Sequence, residues 1–83
     1  MVTTREEIKS WLEHGRGEDI THMIVVCDTF DWDDYPVYVT GKENVREVYS
    51  KYNGPNMQKV MEVYSFNHDL EKQLKEVRAY HFD

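Results

Sequence analysis

The sequence predicts an α+β domain, a three-stranded antiparallel sheet with three helices in the order α-β-β-α-β-α. Three observations carry this. His22-Met23-Ile24-Val25-Val26-Cys27-Asp28 is apolar on successive residues and β-branched in its middle, which marks a strand covered on both faces. Two Thr-x-x-Glu boxes each precede apolar residues at helical spacing. A turn-rich segment containing Pro36 separates the first strand from Val37-Tyr38-Val39.

In order, Thr4-Arg5-Glu6-Glu7 reads as a capping box that opens a helix over Arg5 to His14, with Ile8, Trp11 and Leu12 on one stripe. Gly15 is expected to cap it in the left-handed conformation and Gly17 to loosen its exit. His22 to Asp28 is the central strand. Pro36 has no ladder donor, so the next strand is expected to begin near Val37. Thr40-Gly41-Lys42-Glu43 repeats the capping box before Val45, Val48, Tyr49 and Tyr52, a helix ending at Asn53-Gly54-Pro55. Met57 to Tyr64 alternates less cleanly and fits a third strand, with a helix from Asn56 as the competing reading. Asn67 is expected to cap a last helix carrying Leu70, Leu74 and Val77, and the tail Ala79-Tyr80-His81-Phe82-Asp83 is aromatic enough to pack or pair.

Size and composition narrow the function. Eighty-three residues close about one core, so a single domain spanning 1–83 is expected. Apolar residues at 40% and aromatics at 13% exclude disorder despite 31% charge. A core this small supplies only about 3 to 5 kcal/mol, and the lone Cys27 and scattered histidines supply neither a disulfide nor a zinc site, so homo-oligomerisation is the expected reinforcement. The net charge of −6 argues against extended nucleic acid and against a membrane surface. The polar, acidic start predicts no signal peptide, and no apolar run reaches the roughly 20 residues of a membrane span, which together predict a cytoplasmic protein.

Candidate chemistry centres on the hairpin. Asp28, Asp31, Asp33 and Asp34 could hold Mg²⁺ or Ca²⁺, but the spacing lacks the EF-hand glycine, and a solvated acidic turn accounts for the cluster; no metal or cofactor is expected. Asp28 ends a buried strand and would cap its own turn as an Asx motif with Thr29 or Phe30, or else meet a ligand. His22 could titrate near neutral pH, yet five residues separate it from Cys27, which puts the two on opposite faces and makes Cys27 core rather than nucleophile. The aromatics Phe30, Trp32, Tyr35 and Tyr38 are dense around one hairpin and serve either as a minicore or as rings that stack a base or anchor a partner. Arg16, Arg46, Lys51, Lys59 and Arg78 are the cations available to a phosphate, and no glycine-rich phosphate loop is present. Asp28, Phe30, Trp32, Tyr35, Tyr38 and Arg46 make up the expected ligand-binding set, with no catalytic residue.

The run from Thr21 to Val39, THMIVVCDTFDWDDYPVYV, resembles a family of small, functionally uncharacterised proteins encoded by bacteriophages and prophages. The likeness extends to Met57–Tyr64 and more loosely to the terminal helices. The resemblance assigns no site residues and implies context only: a host-cell cytoplasmic protein acting against host defence, by sequestering a nucleotide-derived immune signal or by blocking a defence protein. The leading expectation is a non-enzymatic, homo-oligomeric protein that captures such a signal with the hairpin aromatics and nearby Arg or Lys, Trp32 and Tyr35 stacking its base. The alternatives are an acidic inhibitor of a host defence or nucleic-acid-binding protein, and a metal-dependent phosphodiesterase using Asp28, Asp31 or Asp34 with His22 as base.

Overall fold

The computed structural model describes residues 4–16, 19–54 and 57–82. Its first element, α1 (Arg5–Gly15), opens on the expected cap: the Glu7 amide donates to the Thr4 hydroxyl at 3.1 Å. Ile8 and Leu12 are buried, with Trp11 half-buried against the same cluster. Gly15 departs from expectation. It is the last helical residue, and extended Arg16 forms the cap. Glycine is needed there for space, because a Cβ would stand 2.8 Å from Tyr38 Cε1. Gly17 lies outside the described residues.

β1 (Ile20–Asp28) is the centre of a sheet ordered β2-β1-β3, with β2 (Asp33–Thr40) and β3 (Gln58–Ser65) both antiparallel to it. Every residue from His22 to Cys27 is buried, as an unbroken apolar run requires when helices lie on both faces. β2 corrects the expected start at Val37: it begins at Asp33, and Pro36 sits inside it opposite Val25. An edge strand tolerates proline when its nitrogen faces away from the ladder. The missing donor and the two aspartates also discourage another strand from adding to that edge.

α2 (Val45–Tyr52) begins later than the Thr40 box implies. Asn44 is its cap, accepting from the Arg46 and Glu47 amides at 2.9 and 3.3 Å. The Glu43 carboxylate instead accepts from the Thr40 amide and hydroxyl, both at 3.1 Å, while the Glu43 amide bonds the Thr40 carbonyl; the box closes a turn rather than a helix. The third strand is β3, not a helix, though Asn56 itself lies outside the described residues.

α3 (Leu70–Leu74) is shorter than expected and is capped by Asp69, not Asn67. Val77 is off the helix and 89% exposed. Beyond the helix end, Arg5 Nη2 donates to the Glu76 and Val77 carbonyls at 2.7 and 3.0 Å. The chain then runs beside β3, where the Val63 amide donates to Ala79 and the His81 amide to Val63, a parallel bridge at Tyr80. Phe82 packs edge-on against Tyr49 at 5.3 Å. The tail therefore both pairs and packs.

The sheet separates two clusters. Met23, Val25 and Tyr64 face α1, Leu70 and Ala79; Ile24, Val26, Val39, Val60 and Val63 face α2. No helix among the described residues is long and apolar enough to cross a membrane.

Candidate functional site

α1 is too short for the strands it covers. Eleven helical residues span about 16 Å, whereas the nine residues of β1 run about 30 Å. The uncovered end of that sheet face is a groove of about 470 Å³. Ile8, Val25 and Met61 give it an apolar floor, Cys27 and Thr29 lie toward the hairpin, Trp32 forms one wall, and Val77 and Arg78 close the far side.

A β-bulge shapes the floor. Val25 pairs with Glu62 but Val26 pairs with Val60, so Met61 is the extra residue of β3. Both Met61 and Glu62 line the groove, although neighbours in a regular strand point to opposite faces.

Glu62 is buried and fully engaged. Its two oxygens accept from Arg5 Nη1 at 2.8 and 2.9 Å, and Oε2 also accepts from the Tyr64 hydroxyl at 2.9 Å and from the Ala79 amide at 3.0 Å. Burial, followed by the Glu62 charge, pushes the Tyr64 phenol well above its ordinary range. The groove holds three cations, Arg5, Lys59 and Arg78, against two acids, Asp34 and Glu62, a local balance of 3 − 2 = +1 in a chain of −6. Glu62 neutralises Arg5, leaving Lys59 and Arg78 facing one carboxylate, Asp34. Arg78 makes a long contact of 3.9 Å with Met61 sulfur. The Cys27 thiol is pushed up by burial and then by Asp34, which makes it a poor nucleophile in this groove.

The six expected ligand residues do not gather in one place. Asp28 Oδ1 accepts from the Phe30 amide at 2.9 Å, so its carboxylate caps its own turn. Phe30 and Trp32 are 72% and 63% exposed, and only Trp32 lines the groove. Tyr35 and Tyr38 are an odd number of residues apart and take opposite faces. Tyr35 packs with the α2 cluster and its hydroxyl meets Gln58, while Tyr38 packs with the α1 cluster and donates to the Trp11 carbonyl at 2.7 Å. Arg46 lies over the Phe82 ring at 4.5 Å on the α2 side. Arg5 and Met61 were not singled out from sequence, and Lys59 and Arg78 stood only among the general cations.

Among the described residues no group of three or more His, Cys, Asp or Glu converges to hold a metal ion. His22 is buried, with Nδ1 2.9 Å from Thr21 Oγ1. No protein-family model, curated protein or solved structure matches this chain.

Proposed function

We propose that this chain is a non-enzymatic binding protein whose groove takes a small, planar, anionic ligand of the nucleotide class, and that in a phage setting it sequesters such a signal from host defence. One observation carries the reading: an exposed indole, Trp32, walls an apolar groove whose cations outnumber its acids in an otherwise acidic molecule. A base stacks on Trp32 over the Met61 and Val25 floor, and phosphate oxygens meet Lys59 and Arg78. Tyr35, on the other face, has no part in it.

Calorimetry against cyclic dinucleotides, ADP-ribose derivatives and mononucleotides tests this. Saturable binding is expected, weakened roughly 5- to 150-fold by Trp32→Ala, the range that 1 to 3 kcal/mol of stacking implies, and weakened also by Lys59→Ala with Arg78→Ala. No heat from any member of the panel overturns the reading.

A second reading has its own observation. Phe30, Trp32 and Met57, the last 56% exposed, stand at one end of the sheet among the exposed Asp31 and Asp33, and Thr29 locks the two loops together by donating its amide and hydroxyl to the Met57 carbonyl. Apolar anchors with an acidic rim suit a basic host protein. Phe30→Ala and Met57→Ala would abolish that complex and leave nucleotide binding intact.

A further inference from the structure

The opposite face of the sheet carries a different surface. α2 contributes four apolar side chains, Val45, Val48, Tyr49 and Tyr52, yet no residue of the helix is fully buried. Between α2 and the open edge of β2 lies a second groove of about 550 Å³, in which Val37, Val48 and Tyr52 are only half-covered. Its rim carries Lys42 and Lys51 against Glu43 and Glu47, a balance of 2 − 2 = 0. The chain as a whole carries −6, so two copies approaching at random repel, whereas this neutral patch adds nothing to that repulsion.

The charge order on α2 is also self-complementary. Glu47 and Lys51 are four residues apart, one turn along the same flank. No ion pair joins them among the described residues, and Lys51 Nζ instead sits 5.8 Å from the Tyr52 ring. A two-fold axis crossing α2 near Tyr49 lays two helices antiparallel and sets each Glu47 against the other copy's Lys51, twice per interface. Pro36 and the aspartates of β2 discourage a continuous sheet across the edge, so the contact must be made by side chains.

We propose that the α2–β2 face is an isologous interface with a second copy of this chain, closed by Val37, Val48 and Tyr52 at its centre and by reciprocal Glu47 and Lys51 pairs at its rim. A standard interface of about 800 Å² per partner would cover about a seventh of the 5422 Å² surface. The nucleotide groove lies on the other side of the sheet and remains open, so this proposal stands or falls independently of that one.

Sedimentation equilibrium of the full chain from about 1 to 200 μM decides it. A mass of twice 10.0 kDa is expected at the upper concentrations. Val48→Asp should give a monomer. Because that variant can also weaken the fold, charge variants on the exposed rim provide the second measurement: Glu47→Lys should raise the dimer dissociation constant at least about tenfold by setting like charges together across the axis, and Glu47→Lys with Lys51→Glu should restore it. A 10 kDa species at every concentration overturns the interface. So does a dimer that ignores Glu47→Lys, or one that the double exchange fails to restore.

Discussion

Arg5→Ala removes the cation bonded to the buried Glu62 carboxylate and also releases two carbonyls of the C-terminal segment. Breaking a fully buried ion pair from one side costs about 3 to 5 kcal/mol, because the remaining charge is left in a poor solvent. The Arg5 side chain is 43% exposed and Glu62 only 7%. Water can therefore enter where the guanidinium stood, while the Tyr64 hydroxyl and Ala79 amide still serve Glu62. Discounting for that screening leaves about 2 kcal/mol, which corresponds to a melting point lower by about 8 to 16 °C in a domain of this size. Urea unfolding of the wild type, Arg5→Ala, Arg5→Lys and the Glu62→Gln partner measures it. Lysine should recover less than half of the loss, since an ammonium cannot serve both oxygens and two carbonyls at once. Hydrogen exchange should show the Val63 and His81 amides losing protection before the β1 amides, because Arg5 anchors the tail that pairs with Val63. An Arg5→Ala midpoint within about 0.5 kcal/mol of wild type would place the pair among ordinary surface salt bridges and refute the reasoning.

Alkali should destabilise the fold. Burial holds the phenols of Tyr64, Tyr35 and Tyr38 above their ordinary 10.0 and the Cys27 thiol above 9.0. The unfolded chain therefore releases these protons first, and the stability they contribute is intact below about pH 9 and falls as pH rises beyond it, with Tyr64 alone giving up to about 1.4 kcal/mol per pH unit. A urea midpoint unchanged up to pH 11 would contradict this. Asn44→Ala should cost about 1 kcal/mol by uncapping two amides of α2, whereas Thr40→Ala should cost less than half of that; equal losses in thermal melts would return the cap to the Thr40 box. Trp32 and Met57 hold φ of 60° and 61° with exposed side chains, so Trp32→Gly and Met57→Gly should each raise stability by about 0.5 to 1 kcal/mol in urea titrations. Destabilisation by either would show that the side chain contributes more to the fold than its backbone strain costs.

Those two left-handed residues mark the boundary between what local sequence encodes and what it does not. β1 is legible because its run from Met23 to Cys27 is apolar on successive residues and β-branched in its middle, and α1 because the Thr4 cap and the Ile8, Trp11, Leu12 stripe lie within two turns. β2 was misplaced at its start because proline reads as a breaker until one knows that the strand is an edge. The earlier start matters at the site: with the strand beginning at Asp33, its parity separates Tyr35 from Tyr38, and of the four hairpin aromatics Trp32 alone walls the groove. The uneven alternation of Met57–Tyr64 was itself a signal, since an extra residue at Met61 breaks the period and turns Glu62 inward. A carboxylate on a buried face must find a cation, and local sequence cannot say which, because Arg5 lies 57 residues away. The pairing also shapes the groove's charge. Once Arg5 is committed to Glu62, the positive balance rests on Lys59 and Arg78, so weakening the structural pair would free a third cation in the groove while loosening its floor.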